Sequence, residues 1–428
     1  MDEVVAQALV RFGLGRRGDE ALPADPASWL ITQLKQPDVG APMASTAVGL
    51  EALRSDRELK PPPEQRKSRT VFIADQRAAL EHALVTTSPF RERLVWFWSN
   101  HFTVSVRGGA GPVAGAFVAE AIRPHVTGRF EDMLLAVMHH PAMLIYLNNA
   151  QSVGPDSPAG ERSHRGLNEN LARECMELHT VSPASGYTQA DVTNFAKVLT
   201  GWSIDLTSDP PGFRYRPFAH EPGPQVIMGR SFPPGEAGGE AVLRFLANHP
   251  STHRFLAGKL VRHFVADDPK PEDVRRIEAV LRDTRGDLGA ASAALVSLED
   301  AWRPGAKLRT PQDYVVAGLR ALDMGEGLNM PGMVAGLGQP FWNAPQPNGW
   351  SDRASEWAAP EAMMRRIDWA YGVAGRAAGR SEARDAAELA EANLGPLLHD
   401  DTLQAIRRAG SRREAITLLL AAPEFQRR

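Results

Sequence analysis

Along most of the chain, apolar residues recur at three- and four-residue spacing, the signature of helices that bury one face. This periodicity predicts helices over residues 27–35, 69–87, 89–104, 113–125, 129–139, 167–179, 189–202, 240–248, 252–265, 271–283, 288–301, 311–324, 356–374, 384–393, 402–409 and 412–421. Start signals support several of them. Thr188 precedes Gln189-Ala190-Asp191, Ser251 precedes Thr252-His253-Arg254, and Thr310-Pro311 places proline at a first helical position. His140-Pro141 and His249-Pro250 read as structural boundaries where proline's fixed φ starts the next helix. The pattern breaks between residues 202 and 231, where Gly, Pro and alternating apolar positions (Phe213-Arg214-Tyr215, Val226-Ile227-Met228) predict a β-hairpin. No fixed-period repeat is present, which argues against a solenoid. The expected fold is all-α: one large helical domain over 1–428 with a small β-hairpin insertion around 203–231. Any subdivision would fall at 1–150 (N-terminal helices), 151–240 (motif helix plus hairpin) and 241–428 (C-terminal helices).

Composition narrows the function classes. A net charge of −3 supplies no field to attract nucleic acid or an anionic membrane, so neither partner is expected. No stretch reaches the roughly 18 uncharged apolar residues of a membrane helix. The start, Met1-Asp2-Glu3, lacks the basic and apolar segments of a signal peptide. As written the chain reads as cytoplasmic; a processed form would be periplasmic or exported. The single Cys175 rules out an internal disulfide and any zinc site built on several thiolates.

The densest chemistry lies in Asn168-Glu169-Asn170-Leu171-Ala172-Arg173-Glu174-Cys175-Met176-Glu177-Leu178-His179-Thr180. On a helix Asn170, Glu174 and Glu177 share one face at i, i+4 and i+7, and Arg173 lies four residues from both Glu169 and Glu177. Such a helix either faces water, laced with ion pairs, or lines a pocket. His179 projects roughly 200° from Glu177 on an unbroken helix of about 3.6 residues per turn, so sharing a ligand with it requires the helix to end near Leu178. Three loops rich in glycine and proline, residues 149–166, 209–239 and 338–352, interrupt the helices. The third carries Trp342 and Trp350. Disordered segments are poor in aromatics, so this loop is expected to pack on the body, covering core or walling a cleft.

Several segments together resemble a known bacterial family. They are Arg11-Phe12-Gly13-Leu14-Gly15, Trp98-Ser99-Asn100-His101-Phe102, the run 168–180 and Gly186-Tyr187-Thr188-Gln189-Ala190-Asp191-Val192. Leu199-Thr200-Gly201-Trp202, Pro345-Gln346-Pro347-Asn348-Gly349-Trp350 and Ala422-Pro423-Glu424-Phe425-Gln426 complete the set. The family is the one catalogued as domain of unknown function 1800. The resemblance covers essentially the whole chain and implies little chemistry. Many relatives look exported and are encoded beside a sulfatase-like protein, which makes such a protein a possible partner.

No P-loop, dinucleotide fingerprint, Gly-x-Ser-x-Gly elbow or CxxC occurs, which disfavours nucleotide-dependent enzymes and α/β-hydrolases. Three histidines fall in the family-like stretches: His101, His179 and His220. They suggest a divalent metal, iron or zinc, with Glu177 or Glu174 completing the shell or acting as general base and Arg173 and Asn170 beside them. Asn100, Asn148, Trp202, Trp342 and Trp350 are the candidate contacts to a small-molecule or peptide substrate. The leading expectation is a metal-dependent enzyme, with redox chemistry placed ahead of hydrolysis. The alternatives are a non-catalytic helical scaffold that takes a peptide or protein through residues 338–350, and an all-α protein enclosing haem through an axial histidine.

Overall fold

The computed structural model describes residues 1–163, 166–380 and 384–428. Of the predicted loop 149–166, His164 and Arg165 lie outside the described residues. Helices account for nearly all the regular structure, in line with an all-α fold. Those used below are α1 (Lys67–Val85), α2 (Pro89–His101), α3 (Asn170–Glu174), α4 (Gln189–Val198), α5 (Pro250–Phe264), α6 (Pro311–Ala321), α7 (Pro360–Ala378) and α8 (Arg412–Ala421). Among the described residues no helix is long and apolar enough to cross a membrane.

Local signals placed many boundaries. Thr188 caps α4 in a full capping box with Asp191, and Thr310 caps α6 by accepting from Asp313 N. The helices over Pro271–Asp283 and Arg412–Ala421 begin and end where the periodicity puts them. Both His-Pro pairs are structural: His140 Nδ1 accepts from Ala142 N, and His249 Nδ1 accepts from Ser251 N. The cap of α5 is therefore His249 and not Ser251.

Three departures stand out. The helix Thr46–Leu59 has no counterpart in the sequence reading, because its apolar face is interrupted by charge. The stretch 202–231 forms two hairpins where one was expected: β1 (Trp202–Asp205) with β2 (Gly212–Tyr215), and β3 (Gln225–Ile227) with β4 (Arg230–Phe232), both antiparallel. The predicted helix 167–179 starts only at Asn170 and changes at Cys175 to a π-turn running to His179. In a π-turn the hydrogen bonds run i to i+5, so the ideal-helix projection between Glu177 and His179 no longer applies.

The apolar interior forms two clusters. The larger draws buried residues from Ala8 to Ala301. The smaller combines Leu14, residues of α1, and residues from α6 to Phe425 through α7 and α8. The chain from α6 onward thus shares its core with Leu14 and α1 from the N-terminal part. Trp342 packs against both clusters, so the loop 338–352 crosses the seam between them.

Candidate functional site at the seam of two cores

One face of α2 lies on this seam. Glu92, Arg93, Val95, Trp96, Ser99 and Asn100 recur there at helical spacing, and all line a cavity of about 90 Å³. The opposite wall is the loop, through Phe341, Trp342, Ala344, Trp350, Ser351 and Asp352. The cavity has room for only a few water-sized groups, so a macrocycle such as haem does not fit in it.

The loop is stapled at both ends. Gln76 Nε2 donates to Phe341 O (2.6 Å) and Val106 N to Trp342 O (3.2 Å). At the far end Asn100 makes a reciprocal pair with the Trp350 backbone: Trp350 N to Asn100 Oδ1 at 2.7 Å and Asn100 Nδ2 to Trp350 O at 2.8 Å. Gly349 holds φ +74°, and a Cβ there would sit 2.4 Å from Asn100 O, so only glycine lets the loop approach the helix end this closely. The aromatic loop packs on the body as its composition predicts, and Trp342 and Trp350 wall a single cleft.

Charged groups form the floor. Arg93 grips Asp313 of α6 with both terminal nitrogens (3.1 and 2.8 Å), and Arg428 Nε lies 3.0 Å from the same carboxylate. Burial works against ionisation of Asp313, but Arg93, Arg428 and Arg309 outweigh it and hold the carboxyl far below its usual range. Glu92 is similarly paired with Arg123 at 2.7 Å.

Beside them stands the arrangement with the clearest chemistry. His263, at the end of α5, has Nδ1 2.6 Å from Asp352 Oδ1, while its Nε2 is buried without a hydrogen-bond partner. An ionised carboxylate only accepts, so Nδ1 carries the proton and Nε2 presents a lone pair. Burial lowers the imidazole pKa to about 4, with Asp352 opposing the drop. Burial works against ionisation of Asp352, but the hydrogen bond from His263 and the charges of Lys307 and Arg428 outweigh it and keep the carboxyl ionised. Lys307 Nζ donates to Asp352 O at 2.6 Å and fixes the backbone there.

The residues singled out from sequence are scattered around this site. His101 and His179 do meet, with ring centroids 5.8 Å apart and His101 Nε2 3.1 Å from His179 O. Both rings are buried, and burial drives both pKa values down, that of His179 to about 3. His220 does not complete a ligand set: its Nδ1 donates to Thr200 O (2.9 Å) and its Nε2 accepts from Gly235 N (2.7 Å), so both ring nitrogens are committed. Among the described residues no group of three or more His, Cys, Asp or Glu is arranged to hold a metal ion. Arg173 bonds Glu169 (2.8 Å) and Gln189 (3.1 Å) in a half-exposed pair, and does not bridge to Glu177. Glu174 is half-buried, and burial with the nearby Glu177 raises its pKa. Asn148 and the exposed Asn170 line a shallow groove with Gln151, Asn168 and Glu169. Trp202 is fully buried and stacked on His139 at 4.1 Å, which makes it core and not a substrate contact. Asn100 spends its amide on the loop. His263, Asp352 and Asp313 were not among the residues singled out from sequence; the clue available was that Asp352 closes the loop 338–352, two residues past the family-like Trp350.

Comparison with known proteins adds one match. A family model described as "Protein of unknown function (DUF1800)" matches residues 7–427. No curated protein and no solved structure matches the chain.

Proposed function

The chain belongs to the DUF1800 family of proteins of unknown function, and on that premise we propose that it is an enzyme using His263 as a general base in the cavity beneath the aromatic loop. The observation that carries this reading is the His263–Asp352 pair. A largely enclosed carboxylate fixes one imidazole nitrogen, and the other is left unpartnered in a residue that lines a cavity. Asp352 sets the tautomer and stabilises the imidazolium once a proton arrives, the division of labour used in acyl-transfer triads. The cavity admits only a small polar group of the substrate, with Trp342 and Trp350 closing over it. The donor geometry favours proton-transfer chemistry over the three-histidine iron centre expected from sequence.

Protonation state tests the proposal. With its pKa at about 4, His263 stays neutral from pH 5 to 8, so base function is lost only as pH falls through about 4. An ordinary histidine would lose it near about 6.5. In ¹⁵N NMR of histidine-labelled protein at pH 7, the His263 Nε2 should appear unprotonated and titrate near 4. A proton on Nε2, or titration near 6.5, would sink the assignment.

A further inference from the structure

We infer that Lys259 is a second reactive centre of the chain, an amine that captures an aldehyde or ketone as an imine. Its chemistry is independent of whether His263 acts as a base. Arginines such as Arg11, Arg93 and Arg309 supply the buried cations, and the sequence has only seven lysines. Lys35, Lys60 and Lys67 are exposed. Lys197, Lys270 and Lys307 are ion-paired with Glu221, Asp300 and Asp267. Among the described residues Lys259 is the one lysine both shielded and unpaired. It is partly enclosed on α5, its Nζ makes no hydrogen bond or ion pair, and solvent still reaches that nitrogen. The ammonium sits over the ring of Phe255 one turn earlier, 5.7 Å from its centroid. The His101 ring lies 6.4 Å from that of Phe255, with His179 packed against His101. Three imidazole nitrogens of this cluster, His101 Nδ1 and both of His179, are buried without a partner. After burial, the charge of Lys259 does most to lower both imidazole pKa values, which sets the ammonium beside them. An unpaired cation in such surroundings is costly, and lysine, unlike arginine, can shed its proton. Desolvation brings the ammonium down to about 8, with Asp352 opposing the drop and Arg262 adding to it.

The chemistry balances without any added redox partner. The neutral amine bonds to the carbonyl carbon as the C=O electron pair moves onto oxygen. Protons pass from nitrogen to that oxygen, which leaves as water, and a protonated imine remains. Ammonium and carbonyl compound thus become iminium and water, with the net charge unchanged. The product keeps a cation over Phe255 and in the field of Asp352, whereas an acylated lysine would be neutral and lose both. The site therefore suits a carbonyl compound better than an acyl donor.

Butanal with sodium cyanoborohydride at pH 7.5 is the probe, because reduction fixes each imine as a butylated lysine that peptide mass spectrometry locates. With its pKa near 8 instead of about 10.4, Lys259 holds a neutral fraction roughly 100-fold or more above that of an ordinary lysine. The folded full chain should therefore be labelled at Lys259 at least about 10-fold faster than at Lys35, Lys60 or Lys67. The preference should vanish in urea that unfolds the chain. A parallel competition with acetic anhydride tests the class of ligand, and the advantage of Lys259 should be smaller there than with butanal. Labelling of Lys259 no faster than the exposed lysines, or a preference that survives unfolding, overturns the assignment of a reactive amine. An equal or larger advantage with the anhydride overturns the assignment of a carbonyl ligand.

Discussion

Arg173 and Asp313 show how differently the same chemistry behaves at two depths. Arg173 pairs with Glu169 one helical turn away, with 38% and 28% of the two side chains exposed. Water screens such a pair, and holding two long side chains in one geometry costs entropy. Arg173→Ala is therefore expected to lower stability by only about 0–1 kcal/mol, with a melting temperature within a few degrees of the native chain. A loss above about 3 kcal/mol in urea unfolding would show that the helix is buried by something else. The charged run 168–180 dominates the sequence, yet its ion pair sits half in solvent. His101, His179 and His263 keep buried nitrogens without a partner, because an imidazole can be neutral in an apolar interior where a carboxylate or guanidinium needs a partner.

At the level of elements, the loop 338–352 and the end of α2 form one unit. Its register depends on the Asn100–Trp350 pair and on the absence of a side chain at 349. Gly349→Ala places a Cβ against Asn100 O and asks for a left-handed φ that costs an alanine about 1–2 kcal/mol before any clash. The variant should remain helical by circular dichroism, with the loop displaced: red-shifted tryptophan emission from Trp342 and Trp350, and faster proteolysis within 338–352. Emission and cleavage unchanged from the native chain would show that the loop does not depend on this contact. That the loop packs was legible in its two tryptophans. Which helix it packs on was not, since Asn100 and Trp350 are 250 positions apart. The π-turn at Cys175–His179 was equally invisible, because apolar periodicity does not distinguish the last turn of an α-helix from a wider one.

Across the whole molecule, Asp313 ties the two apolar clusters together. It receives Arg93 from α2 and Arg428, with Arg309 3.6 Å away, all nearly solvent-free. Asp313→Asn would strand several buried guanidinium groups with one neutral amide. Removing one partner of a buried network costs about 3–5 kcal/mol, so this single-atom change should lower the midpoint of urea unfolding far more than Arg173→Ala does. A midpoint shift equivalent to less than about 1 kcal/mol would mean that solvent or a rearranged partner already compensates those charges.

The sequence by itself determined the helical class, most helix positions, the caps at Thr188 and Thr310, the structural role of the His-Pro pairs, and the break into β-structure after Trp202. Each of these is a local property: a 3.6-residue period, a side chain within three residues of an orphan amide, or a proline's fixed φ. Only the tertiary structure decided which charges meet. His263 and Asp352 are 89 positions apart, and Arg93 and Asp313 are 220 apart. Periodicity tells which face of a helix is buried but not which helix it faces. The candidate site lies where two apolar clusters meet, a convergence that no local pattern encodes.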